Sequence, residues 1–266
     1  TVMEEDCDGM CWKYLIEEEN FKPDMIVSTE PTSCQLYRGH RGRMEIRIIL
    51  KGISCHGSAP ERGVSAAYKA ARAALAIEQL NKDLQPDDDN FLGKGTITVS
   101  QMDVKGPSQC AVADYAMIYC DRRLTWGEDA TLAIRQVKEY VSKATGDPED
   151  QIIVEMPNYE KIGWTNKPYS QELYFPTWKL PEDAPLVQAG VRDYEALYGK
   201  APVVDKWTFS TNLVATTGRH KIPAIGFGPG DEAQAHAPNE INRVEDLVIC
   251  SAFYALLPYS LEGKLN

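Results

Sequence analysis

Apolar and polar positions alternate in two different ways along this chain. Between residues 41 and 156 the pattern is regular. Met44, Ile46, Ile48 and Leu50 alternate with Glu45, Arg47 and Ile49, the period of a strand with one buried face. Val64, Ala67, Tyr68, Ala71, Ala74 and Leu75 recur at helical spacing and predict a helix with that apolar face. Two further strands are predicted over residues 95–101 and from Tyr115 to Leu124. Ala130, Ala133, Ile134, Val137, Val141 and Ala144 predict a second helix, and Ile152 to Met156 a fourth strand. Strand, helix, strand, strand, helix, strand is the order of the ferredoxin-like split βαβ fold. It predicts a self-contained domain over residues 41–163.

The flanking segments are less regular and read as α/β. Val2 and Met3 run straight into Glu4 and Glu5, which suits the end of a buried strand. Met25, Ile26 and Val27 make a second short strand that leads to another carboxylate, Glu30, after an amphipathic stretch around Trp12, Leu15 and Ile16. Pro168, Pro176 and Pro181 exclude a long helix between residues 164 and 183, so this segment is expected to return the chain to the first domain. Asp183 and Pro185 suit the start of a helix carrying Val187, Val191, Tyr194 and Tyr198, ended by Gly199. Residues 223–227 predict a strand running into Gly228-Pro229-Gly230. Asn242 with Glu245 resembles a capping box. It opens a last helix whose expected buried face is Val244, Leu247, Val248, Ser251 and Ala255. Residues 1–40 and 164–266 together are thus expected to form one discontinuous α/β domain.

Composition narrows the partners. The 266 residues are 43% hydrophobic, enough for a sizeable core, and the net charge is -11. No dense basic block offsets phosphate repulsion, which argues against nucleic acid or an anionic membrane and for a small-molecule or dipeptide-like substrate. No apolar run reaches the roughly 20 residues that span a bilayer. The seven cysteines lack paired spacing apart from Cys7 and Cys11. An odd number without a framework suits reduced thiols and a cytoplasmic location.

The candidate chemistry begins with Glu4 and Glu5. Side chains adjacent along a strand point in different directions, so one carboxylate can bind a metal while the other handles a proton. Four histidines are present, His40, His56, His220 and His236, and none stands in a local zinc-binding spacing. His236 lies in a long loop of small residues between a strand and a helix, where ligands are common. Arg122 and Arg123 can pair with Asp121 or Glu128, and Arg219 can pair with a substrate carboxylate.

Taken in order, Met3-Glu4-Glu5, Glu30, His56 within Cys55-His56-Gly57-Ser58-Ala59-Pro60-Glu61-Arg62-Gly63, Asp121-Arg122-Arg123, Gly228-Pro229-Gly230 and His236-Ala237-Pro238-Asn239-Glu240 resemble the dinuclear-zinc metallopeptidase family. That family includes aminoacylase, acetylornithine deacetylase, succinyl-diaminopimelate desuccinylase and glutamate carboxypeptidase. In wording, stretches such as residues 37–43 and 206–212 are similar to the YgeY-type hydrolases of the family. The resemblance implies a zinc-peptidase-like α/β catalytic domain with an inserted ferredoxin-like lid that dimerises. The activity it implies is hydrolysis of an amide bond in a small N-acyl amino acid or dipeptide-like substrate by metal-bound hydroxide. It implies Glu4 as general base and Glu5, Glu30 and His236 as ligands of zinc, or of cobalt or manganese in its place. His56 is implied as the oxyanion-stabilising group, and Arg123, Arg219 and Asn212 as substrate-binding residues. The family's His-x-Asp motif does not occur in this sequence. Fewer than three ligands then remain for each metal, so the chain is expected to be amino-terminally truncated, to hold one zinc ion or none and to be catalytically incompetent by itself. Two rival expectations come from the same residues. One is a non-catalytic dimerising or binding module, and the other is metal binding by Cys7-x-x-x-Cys11.

Overall fold

A computed structural model describes residues 8–162 and 166–262. The chain divides into two compact units, residues 1–42 with 175–266 and residues 43–174. In chain order the first part of the first unit holds α1 (Met10–Glu17), β1 (Ile26–Ser28) and β2 (Leu36–His40). The second unit follows with β3 (Gly42–Lys51), α2 (Ala66–Asp83), β4 (Thr96–Lys105), β5 (Tyr115–Leu124), α3 (Ala130–Thr145), β6 (Ile153–Glu155), β7 (Asn158–Ile162), β8 (Pro168–Glu172) and β9 (Tyr174–Phe175). The chain then completes the first unit with β10 (Trp178–Lys179), α4 (Pro185–Tyr198), β11 (Val204–Trp207), β12 (Ala224–Gly226) and α5 (Val244–Leu261).

The second unit has the ferredoxin-like arrangement. Its sheet runs β4-β5-β3-β6, with β9 also paired to β3. Met44, Ile46, Ile48 and Leu50 on β3 and Ala116, Ile118, Cys120 and Leu124 on β5 make a continuous core with α2 and α3. Both helices start on side-chain caps: Tyr68 N donates to Ser65 Oγ at 3.3 Å and Leu132 N to Asp129 Oδ1 at 2.8 Å. The face predicted for α2 is not the buried one. Ala66, Ala70, Ala73, Ile77 and Leu80 face the core, whereas Tyr68 is 71% and Leu75 67% exposed. The buried stripe is thus three alanines followed by Ile77 and Leu80, while the large Tyr68 and Leu75 lie outside it. The end of this unit also differs from the predicted residue 163. The proline-rich segment forms β8, which pairs antiparallel with β7 from Asn158↔Glu172 to Ile162↔Pro168, and the compact unit runs on to Tyr174. Pro168 is tolerated because it starts its strand.

The first unit is a mixed sheet, β1-β12-β2-β10, with β11 also on β2. Helices α4 and α5 cover one face through Leu186, Val187, Tyr194, Cys250, Phe253 and Leu257 against Leu36, Ile225 and Phe227. On the other face Trp178, Trp207, Leu213 and Ala224 pack together. Gly199, at φ 68°, ends α4 in the left-handed conformation predicted for it. Strand β11 and the π-helical turn Val214–Arg219 carried no predicted element.

Helix α5 departs most from expectation. Its amino end is Arg243, with no side-chain cap, so Asn242 and Glu245 form no capping box. The expected inner face points outward: Val244 is 76%, Val248 66% and Leu247 49% exposed, and the buried residues are Cys250, Phe253 and Leu257. The helix is apolar on every side, so periodicity could not tell its inner face. By length and composition it is also the one described helix that could cross a membrane, which the sequence count of apolar runs had excluded. Its Cys250, Phe253 and Leu257 nevertheless belong to the core of this unit.

Candidate active site

Two loops of the first unit leave the sheet together. Strands β1 and β12 are parallel, with Ser28 opposite Gly226, so Glu30 and Gly228 each follow by two residues at the same sheet edge. There the backbones touch: a Cβ on Gly228 would lie 2.2 Å from the Glu30 carbonyl oxygen and 2.5 Å from that of Thr29. Thr32 N and Cys34 N donate to Gly228 O at 3.3 and 2.9 Å, and Ser33 N to Gly230 O at 2.7 Å. Gly228 N in turn donates to Thr32 Oγ1 at 3.0 Å. To reach these partners Ser33 and Cys34 adopt left-handed φ values of 52° and 56°, which L residues accept only where surrounding bonds hold them.

The second loop continues through the short turn Glu232–Gln234, capped by Asp231, whose carboxylate accepts from Ala233 N at 2.9 Å. His236 follows, exposed and at φ 62°. The structure thus joins the Glu30 and Gly228–Gly230 segments and places His236 on the same loop, six residues beyond Gly230.

A third loop, residues 208–212, is organised by buried aromatic residues. Trp207 Nε1 donates to Pro31 O at 2.8 Å, and its ring leaves Gly226 no room for a Cβ, the nearest ring atom being 2.0 Å away. His40 is completely buried between Trp178 and Trp207. Its Nδ1 is 2.8 Å from Arg41 O, and its Nε2 accepts from Thr211 N at 3.3 Å. An amide can only donate, so the ring is the neutral Nδ1–H tautomer. Burial agrees, pushing its pKa down to about 4. Beyond Thr211, Asn212 Oδ1 accepts from Gly9 N at 3.1 Å, and Ser210 Oγ donates to the Asp8 carboxylate. Asn212 therefore holds the backbone just after the glutamate pair. Glu4 and Glu5 themselves lie outside the described residues. Arg219 closes the π-helical turn, one residue before His220, whose Nε2 is 3.2 Å from Glu17 Oε1.

In the second unit His56 stands in an exposed turn bridged to Ala111. Ser58 N donates to His56 Nδ1 at 3.1 Å, and Ser58 Oγ is 2.8 Å away. The neutral ring therefore carries its proton on Nε2 and offers it outward. Arg123 forms a two-pronged pair with Asp121, at 2.7 and 2.9 Å. The more buried neighbour is Arg122, fully enclosed and 2.6 Å from Glu128. Both pairings were open in the sequence.

Among the described residues, no three of His, Cys, Asp and Glu come together as a metal-binding group. Glu30 and His236 alone do not constitute a zinc site. The roles of His40, Trp207 and Thr32 were not foreseen. Each acts by holding a loop backbone, and nothing in the local sequence marks such a function.

An α/β unit with paired loops at its strand ends is thus interrupted in sequence by a ferredoxin-like unit. Residues 38–148 match the M20 peptidase dimerisation domain. The YgeY protein of Escherichia coli K12 is 53% identical over 262 residues, covering 98% of this chain and 63% of that protein. Acetylornithine deacetylase of Klebsiella pneumoniae is 24% identical, covering 86% of this chain and 54% of the enzyme. The fold is shared with the aminopeptidase PepT of Bacillus cereus, at TM-score 0.67 and 17% identity over 96% of this chain and 61% of that one. It is also shared with the M20 metallo-carboxypeptidase Sso-CP2 of Sulfolobus solfataricus, at TM-score 0.62 and 16% identity over 94% and 67%. The chain is thus similar to M20 peptidases, in its dimerisation domain by sequence and in its fold throughout. It spans less than two thirds of the length of these two curated relatives.

Proposed function

We propose that this chain contributes the lid and the later part of the catalytic domain to a zinc-dependent amidohydrolase acting on small N-acyl amino acids or dipeptide-like substrates. The supporting observation is the uncovered outer side of α5. Val244, Leu247, Val248 and Tyr259 are all more than 45% exposed on a helix that is otherwise part of a core, and Ile241, in the loop just before it, is 66% exposed. Such a surface suits a further layer of polypeptide, and the relatives are long enough to supply one. Glu5, Glu30 and His236 are assigned to the metal, with the further ligands on such a layer. When bound, zinc would supply a polarised carbonyl or an activated water. The described residues do not by themselves assemble the site. His56 would donate its Nε2–H to the carbonyl oxygen as charge develops there. Glu4 would carry the proton to the leaving nitrogen, and Arg123 and Arg219 would face substrate carboxylates, Arg123 after exchanging its Asp121 partner.

The same proposal includes a homodimer through the lid. At the sheet edge formed by β4, Met102 and Val104 are exposed, and Tyr68 and Leu75 stand on the outer face of α2. An apolar edge of this kind suits pairing with a second copy. A cytoplasmic location accords with the free thiols of Cys11, Cys34, Cys55, Cys110, Cys120 and Cys250. The rival non-catalytic module shares the dimer and differs in activity.

The test is hydrolysis of a panel of N-acyl amino acids and dipeptides with added zinc. One sample is the 266-residue chain, and the other is the same chain joined to the unmatched upstream region of Escherichia coli YgeY. Turnover in the joined protein only, lost in Glu4→Gln, is expected. Turnover by the chain alone that disappears in Glu4→Ala would overturn the incomplete-site reading. Joined protein with no turnover on any substrate would favour the non-catalytic module.

A further inference from the structure

We propose that Cys34 and Cys250 form an oxidisable thiol pair, a modification site at which a hydroperoxide makes a disulfide that fastens the Glu30–Cys34 loop to α5. Their sulfurs are 3.7 Å apart although the residues are separated by 216 positions. Both are almost wholly buried, at 6% and 2% exposure, so neither sulfur has room to swing into solvent. Cys34 is also fixed by its backbone, with a φ of 56° and an amide committed to Gly228 O. Cys250 is fixed by its position in α5.

The surroundings make the two thiols unequal. The hydrogen bond from Cys34 favours the thiolate of Cys250, while the same bond followed by burial disfavours ionisation of Cys34. Asp246 faces the pair from α5, its carbonyl 3.8 Å from Cys34 Sγ and its carboxylate raising both thiols. Tyr198, whose hydroxyl donates to Ile249 O, packs on the same core. A groove of about 620 Å³ is lined in part by Val27, Thr29, Leu257 and Tyr254, the last one helical turn beyond Cys250 on α5.

The chemistry balances. The Cys250 thiolate attacks one peroxide oxygen and becomes a sulfenic acid, and the departing hydroxide takes a proton to leave as water. Cys34 sulfur then attacks Cys250 sulfur. The S–O bond breaks, and the hydroxyl leaves with the Cys34 proton as a second water. Two thiols are oxidised by two electrons and one peroxide is reduced. A disulfide needs the sulfurs about 2.05 Å apart, so the loop and α5 must approach. Thr32, Ser33 and Cys34 hold Gly228 and Gly230, so this movement reaches the segment leading to His236. Its consequence for metal binding rests on the proposed function, whereas formation of the disulfide does not.

The experiment treats the full chain with hydrogen peroxide, alkylates remaining thiols and maps peptides by mass spectrometry. A linked Cys34–Cys250 peptide, lighter by about 2 Da than its two thiol peptides and released by dithiothreitol, is expected. Cys250→Ser should abolish the link and leave Cys34 alkylatable. Slower amide exchange at Ser33 and Cys34 in the oxidised chain is expected from the fastened loop. If both thiols stay alkylatable after exposed Cys110 is oxidised, or each ends as a separate sulfinic acid, or the links join other cysteines, the proposal is overturned. A linked chain joined to the upstream region with unchanged zinc affinity would count against the metal-loop assignment and leave the thiol pair standing.

Discussion

Replacing Gly228 by alanine tests whether the two candidate ligand loops are held by backbone contact. The new Cβ would stand 2.2 Å from Glu30 O and 2.5 Å from Thr29 O. Carbon and oxygen at rest are more than 3 Å apart, so the loops must separate by about 1 Å. Separation breaks or stretches the bonds from Thr32 N, Cys34 N and Thr32 Oγ1 that meet at Gly228. Each such bond contributes about 1 kcal/mol net, and the steric misfit adds about 1–3 kcal/mol. The expected destabilisation is thus about 4 kcal/mol, a fall of about 10 °C in the melting temperature. The assay is thermal unfolding followed by tryptophan fluorescence, because Trp178 and Trp207 are buried in this unit. Gly199→Ala is the control: its φ is 68° with open space around it, so it should lose only about 1 kcal/mol. A Gly228→Ala protein melting within about 2 °C of the parent would refute the backbone clamp.

His40 makes stability depend on pH. Its folded pKa is near 4 and the ordinary value 6.5, so between these the unfolded chain binds a proton that the folded chain does not. Stability is full above pH 6.5 and declines as pH falls toward 4, by about 3 kcal/mol at most. His40→Gln should flatten that part of the urea-midpoint profile, and an unchanged slope would count against the neutral buried ring. Glu128→Ala leaves the enclosed Arg122 without its 2.6 Å partner and should cost about 3–5 kcal/mol in urea unfolding. A loss below about 1 kcal/mol would mean that the arginine finds other company. Val248→Glu, on the open side of α5, should leave the stability of this chain within about 0.5 kcal/mol. In the protein joined to the upstream region it should lower the melting temperature, and equal effects in both would argue that nothing covers that face.

The inserted domain was legible because its main strands and helices are long enough for their periods to repeat several times. Tyr115 to Leu124 is the observed β5, and Ala133, Val137 and Val141 face the core as their spacing predicts. The faces of α2 and α5 were not legible. In α2 the alanines beside the sheet carry a weaker apolar signal than the exposed Tyr68 and Leu75, and α5 has no polar side to orient it. For the candidate site, residue types and order suggested Glu30, His56 and His236, because ligands and proton carriers belong to a short list of side chains. The pairing of Arg123 with Asp121 was among those the sequence offered, but sequence could not reveal that Asn212 holds Gly9 or that His40 holds Thr211.

Sequence by itself therefore determined the period of the strands and helices, the inserted position of the ferredoxin-like unit, and the family that the ordered motifs resemble. These depend on nearest neighbours and on the order of residue types along the chain. Only the tertiary structure decided which helix faces are inside, how the Glu30 loop is bonded to Gly228, and that Cys34 meets Cys250 across 216 positions. Those outcomes depend on contacts between distant segments. Their strength comes from burial and backbone geometry, which no local pattern records.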